Sequence, residues 1–276
     1  MAFPMGSIIG FVLPAFMVGE LDEDPEKEKR NVYLFIWVQC IIVTIANIPL
    51  LIFAQEKPPS SPSFSATKPP TGFNFKVELK ELIKNRNFIL LTLAFGAMYG
   101  TSACLSAVVS SLTLPFGYRS KDNSIFGAVF IIAGVAGCAA SGIIIDRTHK
   151  FKQACIYICV LTTATFVLLF FVAPTGSVAL LSLNFLFMGL GIIPILPVCF
   201  AFGVELTYPV PEAMSNGMMI VPSKIYGSLL GVIAGYIVHY GPFYCLGLFL
   251  ANTGFAVVVS FFIKEDLRRL NLKQSL

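Results

Sequence analysis

A chain of 276 residues that is 56% hydrophobic, only 12% charged and has a mean hydropathy of +0.81 is not composed like a soluble globular domain. Such a domain carries about 25% charged residues, so the sequence is read as an all-α, multi-pass integral membrane protein. The net charge of +4 gathers in a few loops and builds no basic helix or aromatic-basic platform, which excludes a nucleic-acid surface.

Eight apolar runs approach the twenty or so residues needed to span a bilayer. They lie near 1–19, 32–54, 88–112, 123–145, 154–173, 178–203, 214–239 and 243–263. The first has no basic n-region and no small-residue cleavage site, so it is not read as a signal peptide; the chain starts inside a span. After the second span, 55–75 is rich in proline and serine and reads as a flexible or extended linker. Residues 76–88, KVELKELIKNRNF, space Val77, Leu79, Leu82 and Ile83 among charges. That pattern fits a short amphipathic helix on the membrane surface, or a solvated helix end.

Loop charge sets the expected orientation. If every run spans, 13 lysines and arginines fall on the side holding 55–87, 146–153 and the tail, against 5 on the side holding 20–30 and 119–121. The basic side is cytoplasmic by the positive-inside rule. The acidic loop 20–30 is then outside.

Within the late spans, Pro194, Pro197 and Pro222 sit deep in apolar sequence. Irregular backbone at that depth is tolerated only against protein or a watery cavity, so these spans are expected to line something. Lys224 lies about 18 Å from the polar end of its span, near the bilayer midplane. A cation there costs at least about 2.5 kcal/mol and reads as functional, with snorkelling as the structural alternative. Gly227, Gly231 and Gly235 form a small-residue face for helix packing. Tyr226 serves a cavity or packing equally well, and Asn184 could hydrogen-bond a substrate or a neighbouring helix. Gly134 and Gly137 are assigned to packing.

No metal and no cofactor is expected. All seven cysteines fall in apolar segments, and Cys155 and Cys159, on one helix face, have no partners at metal-ligand spacing. No His-Glu-x-x-His, Gly-x-Ser-x-Gly or paired intramembrane aspartates point to an enzyme.

Gly142-Ile-Ile-Ile-Asp146-Arg147, at the cytoplasmic end of the fourth span, resembles the Gly-x-x-x-Asp-Arg loop signature of the major facilitator superfamily. The hinge Glu205-Leu-Thr-Tyr-Pro209, with Glu212 and Ser215-Asn-Gly217, is similar to the segment between the tenth and eleventh spans of one branch. That branch is the feline leukaemia virus subgroup C receptor family of haem exporters and choline transporters. GFVLPAF at 10–16, QEKPPSSPS at 55–63, LIKNRNFILL at 82–91 and SGIIIDRTHKFK at 141–152 add to the resemblance, which covers essentially the whole chain.

The resemblance implies spans five to twelve of a twelve-span, alternating-access solute carrier, with spans one to four missing. On that reading 1–54 ends the N-terminal half, 55–87 is the cytoplasmic linker and amphipathic helix, 88–263 is a complete six-helix half and 264–276 is the tail. The implied substrates are haem, choline or ethanolamine, bound between the halves. The partners are that solute, the lipid bilayer, and either the missing spans or a second copy. The membrane is the plasma membrane or that of an organelle.

The family pattern has a tyrosine where this chain has Ala103, and Tyr99 stands one turn earlier; a family glutamine is replaced by Lys224. A fixed ammonium repels choline and favours an anionic group such as a propionate. The expected cavity residues are therefore Lys224, Tyr99, Asn184 and Tyr226, and the expected gating residues are Asp146, Arg147, Glu205 and Glu212. Solvated helix caps are the alternative for both glutamates. The competing reading of the whole is a transport-incompetent receptor or regulatory partner.

Overall fold

The computed structural model describes residues 25–53, 74–267 and 270, and every regular element among them is a helix. The expected first span and nearly all of the proline-rich linker lie outside the described residues. In chain order the helices are α1 (Pro25–Phe53), α2 (Phe75–Lys84), α3 (Arg86–Thr113), α4 (Ser120–Thr148) and α5 (Phe151–Val172). They continue as α6 (Val178–Ile192), α7 (Ile195–Thr207), α8 (Glu212–Ile237) and α9 (Pro242–Phe262). The chain divides into two compact units with the boundary between Val77 and Glu78.

Among the described residues, seven helical stretches are long and apolar enough to cross a membrane: α1 from Lys29, α3, α4, α5, α6 with α7 as one span, α8 and α9. They account for seven of the eight expected spans, and the protein is an integral, multi-pass membrane protein. Local chemistry fixes their ends. The side chain of Asn85, held at φ −77° and ψ 99°, accepts from the N–H groups of Asn87 and Phe88 and so caps α3. The amphipathic helix therefore stops at Lys84 instead of continuing to residue 88. Asp122 accepts from the N–H of Arg119 at 2.8 Å and starts α4 earlier than apolar patterning placed it. Gly117 at φ 87° and Gly176 at φ 66° turn the chain in the left-handed region between spans.

The two proline-bearing spans behave differently. At Pro194 the helix breaks, separating α6 from α7, whereas Pro222 is carried inside an unbroken α8. The break does not line the cavity described below. Pro194 and Leu190 pack against α4 at Gly137, where a side chain's first carbon would come within 2.9 Å of both. Neighbouring protein thus covers the irregular backbone, as its depth requires.

In the second unit α3 packs against α8, α9 and α7, α4 packs mainly against α6, and α5 packs against α6 and α9. Two apolar layers result. One gathers Leu105, Phe126, Phe166, Phe185 and Phe249; the other gathers Phe88, Phe95, Phe151, Phe202 and Met219. Aromatic stacking joins helices within each, as in Phe126 on Phe185 at 5.4 Å and Phe151 on Phe202 at 5.9 Å. Lipid is as apolar as these side chains, so close packing and hydrogen bonds hold the helices together, with little help from the hydrophobic effect.

Candidate solute cavity between α3 and α8

The cavity forms where α3 and α8 first touch and then part. At Gly100 and Gly227 the backbones meet: a first side-chain carbon on Gly227 would lie 3.0 Å from Gly100 Cα. One turn earlier, a side chain on Gly96 would press on Ser223 Oγ at 3.3 Å. Beyond this contact the helices bound an open-sided cavity of about 260 Å³. Tyr99, Ala103 and Ala107 line it from α3, and Lys224, Ser228 and Gly231 from α8.

Lys224 and Tyr99, assigned to a cavity from sequence, come together here. The Lys224 ammonium lies 4.8 Å from the centroid of the Tyr99 ring, within cation–π range. The ring is held from behind by Phe95, stacked at 5.2 Å and 15°. The arrangement presents a cation on an aromatic floor, with the Ser223 and Ser228 hydroxyls occupied by the carbonyls of Met219 and Lys224. It offers charge to an anionic group and leaves little of the Tyr99 face for a second cation.

The other expected cavity residues are turned to structural contacts. Tyr226 donates its hydroxyl to Asn252 Oδ1, while Asn252 Nδ2 donates to Ala97 O at 2.9 Å and to Thr101 Oγ1 at 2.6 Å. This network ties α8 and α3 to α9. Asn184 is buried and donates to Thr165 O at 3.1 Å, joining α6 to α5 away from the cavity lining. Of the three glycines expected to pack, Gly227 does, whereas Gly231 faces the cavity and Gly235 meets nothing within 4 Å.

The expected gating residues do not form one cluster. Asp146 and Arg147 are exposed in the last turn of α4. Glu205 is buried near the end of α7 and accepts from the N–H of Leu270 at 3.0 Å, so the chain beyond α9 closes over it. Glu212 opens α8. Beside Glu205, Asn85 Nδ2 donates to Leu206 O at 2.9 Å, fastening the start of α3 to the end of α7.

Sequence reasoning missed three features. Asn252, a lone amide in an apolar helix, was the available signal for its network. Ser228 stands one turn beyond Lys224 and shares its helix face. Cys199 lies 4.0 Å, sulfur to sulfur, from Cys155, a neighbour that only the packing of α5 against α7 reveals.

Comparison with known proteins agrees with this architecture. The profile of the Major Facilitator Superfamily matches residues 1–221. The chain is 26% identical to the choline/ethanolamine transporter flvcr2a of Danio rerio, over 98% of this chain and 58% of that protein. It is 27% identical to the choline/ethanolamine transporter FLVCR2 of Homo sapiens, over 96% of this chain and 51% of that protein. The choline/ethanolamine transporter FLVCR1 of Felis catus is 26% identical, over 97% of this chain and 49% of its own length. The chain spans about half the length of the curated relatives it matches.

Proposed function

The chain belongs to the major facilitator superfamily, and from that premise we propose that it carries the solute-binding wall of a transporter working by alternating access. Its solute is a small organic molecule bearing an anionic group, such as a haem propionate. The single observation behind this reading is the Lys224 ammonium seated 4.8 Å from the Tyr99 ring in the α3–α8 cavity. A carboxylate entering the cavity gains a charge-assisted hydrogen bond and displaces only a weak contact, because cation–π attraction is worth about 0.5–2 kcal/mol.

A second reading is choline or ethanolamine transport, favoured by the names of the relatives and by the aromatic floor itself. On this reading Lys224 is a specificity device occupying the surface on which a quaternary ammonium would otherwise rest.

Uptake measurements on cells expressing the full chain and its variants separate these readings. Lys224→Ala abolishes uptake of the carboxylate-bearing solute with surface expression intact; unchanged uptake by well-expressed variant protein overturns the anion reading. Lys224→Gln gaining choline uptake supports the second. Absence of any uptake by the well-expressed parent chain favours a receptor or regulatory partner.

A further inference from the structure

A second cavity, of about 510 Å³, lies at the other end of α3, bounded by the end of α2, the first turn of α3 and the turn between α7 and α8. Its rim carries two cations, Lys84 and Arg86, against one carboxylate, Glu81, and its wall includes Tyr208, Pro209 and Val210. Lys84 and Arg86 are exposed and make no ion pair among the described residues. Two polar side chains of the lining are engaged within the fold: Asn85 caps α3 and bonds Leu206 O, and Thr207 Oγ1 bonds Gly203 O at 2.8 Å. The two cations are thus left for a ligand from outside.

The apolar surroundings say what kind of ligand. Ile89 and Leu93 lie three and seven residues after Arg86, on the same side of α3. They are 40% and 47% exposed, so an apolar strip descends from the cationic rim along a membrane-spanning helix. Ile83, 58% exposed, adds an apolar side chain beside Lys84. A free anion uses the rim and ignores the strip. A molecule with an anionic head and an acyl chain uses both.

We propose that this cavity binds the headgroup phosphate of an anionic phospholipid, with Lys84 and Arg86 holding the phosphate and an acyl chain lying along Ile89 and Leu93. The loop charge that puts this end of the protein in the cytoplasm also puts the site in the leaflet where anionic lipids are enriched. Glu81 opposes the anion but is outnumbered. Bound there, the lipid bridges the amphipathic helix, the first turn of α3 and the α7–α8 turn, which makes it a brace for the hinge. The site is separate from the α3–α8 cavity, and the proposal is independent of the solute carried.

The test is lipid retention by the purified full chain, read by native mass spectrometry after equilibration with equal amounts of phosphatidylglycerol and phosphatidylcholine. The parent chain retains phosphatidylglycerol on the order of tenfold more than phosphatidylcholine, as expected for two lysine or arginine contacts partly screened by salt. Lys84→Gln with Arg86→Gln brings the two lipids to parity, and Glu81→Gln raises phosphatidylglycerol retention. Arg119→Gln with Lys121→Gln, which removes two charges elsewhere, leaves the preference intact. Glycerol phosphate, which lacks the acyl chain, does not compete at matched concentration. Parity in the parent, an unchanged preference in the folded double variant, or no gain from Glu81→Gln overturns the proposal. So does equal loss in the Arg119/Lys121 control, and full competition by glycerol phosphate identifies a free-anion site instead.

Discussion

Two seams between helices, α4 against α6 and α3 against α8, are both built on glycine, yet one is closed and the other opens. In the first, Gly189 faces the Phe130 carbonyl so closely that a first side-chain carbon would lie 2.0 Å from its oxygen, and Gly134 accepts Ile193. In the second, Gly100 and Gly227 touch, after which Gly231 faces the cavity and Lys224 stands on Tyr99. Small residues at helical spacing permit close approach but do not compel it. Whether a glycine becomes a zipper or a cavity wall depends on what the opposite helix presents: nothing lies within 4 Å of a first side-chain carbon on Gly231, and the cavity it lines is bounded from α3 by Tyr99, Ala103, Cys104 and Ala107.

Substitutions that fill each position sharpen this contrast. Gly189→Ala has the largest effect: the clash is with backbone that cannot rotate away, so the loss reaches or exceeds the roughly 3 kcal/mol upper range of ordinary overpacking. The fraction of monodisperse protein surviving a heating series, by size-exclusion chromatography, falls steeply; survival like the parent's would show that the seam is looser than described.

Gly227→Ala, meeting Gly100 Cα at 3.0 Å, costs an intermediate amount, about 1–2 kcal/mol, because two helices can shift by a few tenths of an ångström. The same heating series places it between Gly189→Ala and the parent. Tyr226→Phe removes one interhelical hydrogen bond, worth about 0.6 kcal/mol in lipid, and a small drop in melting temperature checks it. Gly231→Ala is the mildest for folding, within about 0.5 kcal/mol of the parent, since nothing lies within 4 Å of the added methyl. Its effect appears in solute affinity, because the methyl enters the cavity that Gly231 lines.

The seven spans that fall among the described residues were legible because length and apolar content alone decide whether a helix crosses a bilayer. Lys224 was legible for a related reason: a charge so deep in an apolar helix has few places to go. Tyr99 followed from its position one turn from Ala103. The partners of the other polar residues were not legible. Asn184 and Tyr226 both carry groups that satisfy either a solute or a neighbouring helix, and only the crossing of α5 with α6, and of α3 with α8 and α9, gives them Thr165 and Asn252. The break at Pro194 was expected from the proline, but its covering by Gly137 depends on a helix nearly sixty residues earlier in the chain.

Whether Lys224 makes this cavity an anion site is decided by titrating the purified full chain with haem and with haem whose two propionates are esterified, following the haem absorbance. The free acid is expected to bind at least about tenfold more tightly than the diester, the worth of one charged hydrogen bond, and Lys224→Gln to erase the difference. No preference for the free acid in the parent chain, or the same preference in Lys224→Gln, would contradict it.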